Sequence, residues 1–118
     1  MNWMETPLLH LMERFLDVTS LRQSLIASNI ANVDTPGYRT RDIDFEKEMQ
    51  RAAAMPDAIS HPAVREISGL IERPDHNNVS IDRESMLLAQ TQLQFQTGVA
   101  LLKQEFKRLV TAITEGKS

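Results

Sequence analysis

The 118-residue chain contains no cysteine and only four glycines. Without cysteine it can form no disulfide, no thiolate zinc site and no thiol nucleophile. So few glycines leave no glycine-rich loop of the kind that cradles phosphate groups. No apolar run approaches the roughly 18 residues of a membrane-spanning helix, and the N-terminus shows no cationic segment followed by an apolar one. The sequence therefore predicts neither a membrane anchor nor a cleavable Sec signal.

Aromatic residues are also scarce, at 5% of the chain, so the core must consist mainly of Leu, Ile, Val and Met. The 13 Lys and Arg against 16 Asp and Glu give a net charge of −3. This balance argues against a nucleic-acid partner, which would require a basic surface. Hydrophobic content of 42% and charged content of 25% are typical of a chain that folds, here as one domain at most.

The first long segment, from Met4 to about Asn32, contains no glycine, and its single proline, Pro7, lies where the first turn of a helix tolerates it. Apolar residues recur in it every three, four or seven positions, which predicts one long helix packed along its length. These residues are Met4, Leu8, Leu11, Phe15, Val18 and Leu25. A second apolar stripe lies beside the first and indicates more than one neighbour: Leu9, Met12, Leu16, Leu21, Ile26 and Ile30.

Polar residues interrupt the first stripe at Arg22 and Asn29. An amide on an apolar seam is destabilising unless it fixes the register or the partner of the helix. Asn29 and Asn32 therefore either have such a role or belong to a frayed, solvated helix end.

The segment from Asp82 to about Thr114 shows the same periodicity and predicts a second long helix, with Ser80 or Asp82 as its N-cap. Gly98 falls in its middle and either permits a close backbone approach or weakens the helix. The apolar stripe consists of Leu88, Phe95, Val99, Leu102, Phe106, Leu109 and Ile113.

Residues 34–80 read as a connector between an N-terminal helical region, residues 1–33, and a C-terminal one, residues 81–118. Thr35, Pro36, Gly37 and Tyr38 match a type II turn, in which glycine supplies the positive φ. Residues 43–54 are compatible with a short amphipathic helix, whereas residues 55–78 show no sustained period. We expect the latter stretch to be loose in the free chain and the connector to form no third core element.

Helices of this length exceed the diameter of a compact domain of about 118 residues, so the predicted fold is all-α: an elongated, coiled-coil-like hairpin with a partly disordered connecting segment. Two antiparallel helices cover only their facing seam. Leu87, Leu93, Leu101 and Val110 are therefore expected to face solvent in a single chain. Covering them calls for association with other chains.

The candidates for catalysis or metal binding are the three histidines, His10, His61 and His76. None lies in a recognisable triad or ligand set, and no cofactor or enzymatic activity is predicted. Two non-enzymatic hypotheses remain: a structural subunit that assembles through its apolar stripes, and a cytoplasmic helical-hairpin adaptor or export chaperone that binds one partner. An enzyme would need paired acid and base groups that the sequence does not supply.

The segment from Ser28 to Tyr38 resembles the signature of the bacterial flagellar rod, hook and hook–filament junction proteins. Its motif residues are Asn29, Asn32, Thr35, Pro36, Gly37 and Tyr38. The block from Asn77 to Ile113 resembles the C-terminal part of the proximal rod members of this family, although another axial rod protein remains an alternative. The resemblance implies a structural subunit of the basal-body rod in which the terminal helices assemble into a helical tube at the MS ring.

The same resemblance implies self-association and contacts with FlgC-like and FlgF-like rod proteins, the MS-ring adaptor FliE, the MS ring and the flagellar type III export gate. It implies a periplasmic rod location, reached from the cytoplasm without a cleavable signal and without membrane insertion. Phe45 and Met49 resemble an export-gate motif. The predicted subunit-packing residues are the two helical stripes, from Leu8 to Leu25 in the first and from Leu88 to Ile113 in the second.

Overall fold

The computed structural model describes residues 6–55 and 61–116. The elements in chain order are α1 (Pro7–Ala31), β1 (Arg41–Ile43), α2 (Phe45–Ala54), β2 (Val64–Glu66) and α3 (Ile81–Gly116). The molecule measures 70 × 25 × 17 Å and has a radius of gyration of 18.3 Å, against about 13.5 Å for a compact domain of this length. The predicted elongated all-α hairpin is confirmed.

The helix starts follow from local capping. The Thr6 hydroxyl accepts a hydrogen bond from the Leu9 N–H at 3.1 Å, and Pro7 occupies the first turn of α1, where no N–H is needed. The Ser80 hydroxyl accepts from the Arg83 N–H at 3.3 Å, so Ser80 is the residue that caps α3. Met4, which was assigned to the first apolar stripe, lies outside the described residues.

Two contacts far apart along the hairpin fix its register. Near the middle, a Cβ on Gly98 would lie 2.8 Å from ring atoms of Phe15. Near the turn, the Asn29 Nδ2 donates to Glu84 Oε1 at 3.2 Å. Each step along α1 from one contact to the other is matched by an equal step back along α3, as expected of two antiparallel helices. Of the two roles considered for Gly98, the structure supports the close approach.

The second neighbour of α1 belongs to the same chain. Val18 and Leu25 form a core cluster with Ile43 of β1, and Leu21, Phe45 and Met49 pack against it. The expectation that the connector forms no third core element is therefore wrong. Since β1 and α2 cover one side of α1 while α3 covers another, α1 buries a wide apolar surface without a partner subunit.

The prediction that Leu87 faces solvent is also wrong. Leu87 is buried, whereas Leu93, Leu101 and Val110 are exposed as predicted. Leu87 follows the buried Glu84 by three residues and therefore lies on the α1-facing side of α3.

The connector also forms a two-stranded antiparallel sheet in which Asp42 is opposite Arg65. The Asn78 side chain extends this ladder: its Oδ1 accepts from the Thr40 N–H at 2.7 Å, and its Nδ2 donates to the Ile67 carbonyl at 3.1 Å. Within the described part of residues 55–78 there is thus a strand that periodicity did not reveal. Residues 56–60 lie outside the described part, and looseness in the free chain stays a prediction.

Candidate subunit interface and the clasp that supports it

The motif segment begins where α1 ends. Asn32 caps the helix: its N–H lies within hydrogen-bond distance of the Ser28 and Asn29 carbonyls, and its Nδ2 donates to the Ser28 carbonyl at 2.8 Å. The Asn32 Oδ1 accepts from the Thr35 hydroxyl at 3.0 Å. Asn32 therefore ends the helix in an ordered way, and a frayed end is excluded.

The predicted reversal of the chain, at Thr35–Tyr38, comes directly after the end of α1. The Tyr38 N–H donates to the Thr35 carbonyl at 3.2 Å, and Gly37 has a φ of 76°. Positive φ at this position is what a type II turn requires of its third residue. The Gly37 N–H donates to the Asp75 carbonyl at 2.8 Å, so the turn is also attached to the far end of the connector.

Asn29 joins three parts of the chain. Its Oδ1 accepts from the Arg41 N–H and the Tyr38 hydroxyl, both at 3.1 Å. Its Nδ2 donates to the Arg41 carbonyl at 2.9 Å and to Glu84 Oε1. The side chain is 1% exposed. The amide therefore pairs with the outer edge of β1 as a neighbouring strand would, and its role lies within the chain.

Asp42 lies beside this amide and ties β1 to both long helices. It is 3% exposed. Arg22 of α1 donates to both carboxylate oxygens at 3.1 Å, and Arg83 of α3 donates to Oδ2 at 2.9 Å. Burial alone would raise the pKa of Asp42, but the hydrogen bonds from Arg22, the Ile43 N–H and Arg83 outweigh it and lower that pKa below its ordinary value.

Glu84 completes the group. It is 0% exposed, and its Oε1 accepts from Arg83 Nη1 at 2.8 Å as well as from Asn29. Burial raises the pKa of Glu84 above its ordinary value, and the hydrogen bonds from Asn29 and Arg83 offset this only in part. We call the set of Arg22, Asn29, Asp42, Arg83 and Glu84 the polar clasp.

The end of the connector is held by a second set of contacts. Asn77, fully buried, donates to the Asn32 and Thr35 carbonyls at 2.9 and 2.8 Å. Arg73 donates to the Val33 and Val79 carbonyls. Together with the polar clasp, these contacts show that the motif segment organises the closed end of the hairpin.

A different surface is free of such contacts. Glu84, Leu87, Thr91 and Gly98 are the buried residues of α3. The positions two residues after each of them lie about 200° around the helix and point away from α1. These positions are Met86, Ala89, Leu93 and Ala100, all of which are exposed. We call this set the outer face of α3.

Further apolar surface lies along the flanks of the hairpin. A half-open groove of about 190 Å³ is lined by Leu11, Met12, Phe15, Met49, Gly98 and Leu101. Its lining is almost entirely apolar, so water gains few hydrogen bonds there.

The predicted subunit-packing residues separate into three groups. Val18 and Leu25 are buried inside the chain, so their assignment to subunit contacts is wrong for this conformation. Leu8 and Phe106 are both 44% exposed and remain available. The others are half-buried along the hairpin: Leu11, Phe15, Leu88, Phe95, Val99, Leu102, Leu109 and Ile113. Met86 and Ala89 lie outside the periodic stripe of α3, so the periodicity did not indicate them.

No metal-binding cluster of three or more His, Cys, Asp or Glu side chains occurs in residues 6–55 and 61–116. Across those same ranges, no helix combines the length and apolarity needed to cross a membrane.

Residues 16–39, which contain the end of α1 and the turn, match the family described as flagella basal body rod protein. Over most of its length the chain is also similar to proteins named flagellar basal body rod protein FlgB. The protein from Salmonella typhimurium is 30% identical over 92% of this chain and 94% of its own. The protein from Borrelia hermsii is 35% identical over 82% of this chain and 88% of its own length. The protein from Bacillus subtilis is 28% identical over 90% of this chain and 92% of its own.

The similarity to these relatives over most of the chain shows that it is a structural subunit of the bacterial flagellar basal-body rod, and this family is structural and not enzymatic. Within that class, the chain belongs to the FlgB family. This similarity extends beyond the motif to both long helices. It therefore favours the rod subunit over the adaptor or chaperone considered from the sequence alone.

Proposed function

We propose that the outer face of α3 packs against a helix of a neighbouring subunit when the rod assembles. The observation that supports this is the exposure of Met86 and Leu93, at 64% and 65%, seven residues apart on one side of a long helix. This spacing is that of a coiled-coil seam. Burying each side chain would contribute about 1.5–3 kcal/mol, which a single chain cannot gain.

The packing is proposed to involve copies of this chain and other rod proteins of the FlgC-like and FlgF-like kinds. Family membership supports a position at the base of the rod, next to the MS ring and its adaptor FliE. We propose a heterologous contact, because an isologous one closes on itself and cannot extend into a tube. Repetition of such a contact without closure generates a helical tube.

We further propose that the chain reaches the periplasmic rod through the flagellar type III export gate, without a cleavable signal. Phe45 and Met49 are the proposed recognition residues. In the folded chain Phe45 packs edge-on against Phe15, with ring centroids 5.4 Å apart, and Met49 packs against the core. Recognition of these two side chains by the gate therefore requires a chain in which α2 has left α1.

Replacing Leu93 by Glu tests the proposed contact. The variant places a charge in an apolar interface and is expected to abolish motility and rod assembly, while the thermal unfolding of the isolated chain changes little because residue 93 is exposed. Gln50→Glu, which adds the same charge to an exposed site on α2, is the control and should retain motility. Normal swimming of the Leu93→Glu strain would refute the proposal.

A further inference from the structure

Glu84 has one carboxylate oxygen with hydrogen bonds and one without. Oε1 accepts from Arg83 and Asn29, whereas the buried Oε2 has no hydrogen-bond partner. A buried charged oxygen without a partner is strongly destabilising, and the carboxyl group avoids this by binding a proton. Nothing in the proposed assembly requires a carboxyl group at this position.

The charges around Glu84 do not neutralise it fully. Arg83 is the one cation in contact with Glu84 among the described residues, and it is shared with Asp42. Arg22 donates to both carboxylate oxygens of Asp42. The negative charge of Asp42 itself disfavours ionised Glu84. Tyr38 is linked to Glu84 through the Asn29 amide, which accepts from the Tyr38 hydroxyl and donates to Glu84.

We propose that Glu84 is the proton-binding residue of the polar clasp, and that proton uptake there tightens the junction between β1 and the two long helices. Protonation of the unpartnered Oε2 removes the uncompensated charge and leaves Oε1 accepting from Arg83 and Asn29. The closed end of the hairpin is then a pH-sensitive device whose stability increases on mild acidification.

The sign of the pH dependence follows from linkage. The pKa of Glu84 is raised in the folded chain, so its contribution to stability is fully present below the ordinary value of 4.5 and is lost as the pH rises through the folded-state pKa. The pKa of Asp42 is lowered, so its contribution is lost only as the pH falls below the ordinary value of 3.8. Between neutral pH and about 4.5, the clasp is therefore governed by Glu84.

The test compares urea unfolding of the wild-type chain and Glu84→Gln, followed by circular dichroism at about pH 7 and about pH 5. Gln keeps the Oε1 acceptor and cannot ionise. The urea midpoint of the wild type should rise on acidification, and this rise should be lost in the variant. Glu66→Gln, at an exposed position on β2, should keep the full rise. Equal pH responses of the wild type and Glu84→Gln would overturn the proposal.

A second measurement does not depend on how well the variant folds. The carboxyl carbon of Glu84 in the wild-type chain can be titrated by NMR. An apparent pKa above the ordinary 4.5 supports the proposal, and one at or below that value overturns it. Neither experiment involves assembly, so failure of this inference would leave the proposed function intact.

Discussion

Replacing Asp42 by Ala is expected to lower the free energy of unfolding by about 3 kcal/mol, because it leaves two largely buried arginines without their shared carboxylate. Arg22 and Arg83 are 14% and 23% exposed at their side chains, so water only partly replaces the lost carboxylate. The loss should appear as a lower urea midpoint or, if the hairpin is only marginally stable, as reduced helicity at 25 °C.

Asp17→Ala is the matched control for this variant. Asp17 lies on the exposed side of α1, so its removal should change stability by no more than about 0.5 kcal/mol. If Asp42→Ala and Asp17→Ala unfolded at the same urea concentration, the clasp would not stabilise the closed end of the hairpin.

Asn29→Ala is expected to lower stability by a similar amount, about 3 kcal/mol. The substitution removes all four hydrogen bonds of the amide. The Tyr38 hydroxyl, the edge of β1 and Glu84 each lose the hydrogen-bond partner that Asn29 supplies. Each buried polar group left unpaired costs about 1–3 kcal/mol, and part of this is recovered where water can enter beside the exposed Arg41.

Asn32→Ala is the comparison for this variant, since both residues belong to the motif segment. Asn32 is only half-buried, and its side chain bonds to Ser28 and Thr35, close by in sequence. Its loss removes two partly solvated hydrogen bonds and should cost about 1 kcal/mol. A larger effect at Asn32 than at Asn29, in thermal or urea unfolding, would contradict the assignment of Asn29 as the central amide.

The two long helices and the turn could be predicted from sequence because the signals for them are local. Apolar spacing indicated α1 and α3, and Pro36 with Gly37 indicated the reversal. Arg22 and Asn29 also gave a usable signal, since polar residues on an apolar stripe require partners. The identity of those partners could not be predicted, because Asp42 and Glu84 are distant in sequence and no spacing rule connects them to α1.

The main error was the prediction that the connector forms no core element, and this error has a physical cause. Ile43, Phe45 and Met49 cover one side of α1 although the connector has too few apolar residues to show a long period. The additional neighbour that the sequence predicts for α1 is therefore the connector of the same chain, which packs against Val18, Leu21 and Leu25. For α3 the argument for association with other chains holds: Met86 and Leu93 remain exposed in the single chain.

This division assigns different tasks to the two helices. Contacts of α1 with the connector and α3 form the subunit, and the motif residues at the turn fix how these parts meet. The outer face of α3 is the surface that we propose for contacts between subunits. Loss of the clasp should thus reduce folding first and assembly as a consequence, whereas changes at the outer face should reduce assembly without affecting folding.

Because the chain contains no cysteine, a single Leu93→Cys substitution provides the most direct test of the central claim, that the outer face of α3 is covered only in the assembled rod. The measurement is the rate of maleimide labelling in the free subunit and in isolated basal bodies, with Val18→Cys as the internally buried control. We predict rapid labelling of Cys at position 93 in the free subunit and strong protection in basal bodies. Equal labelling rates in the two states would contradict the account.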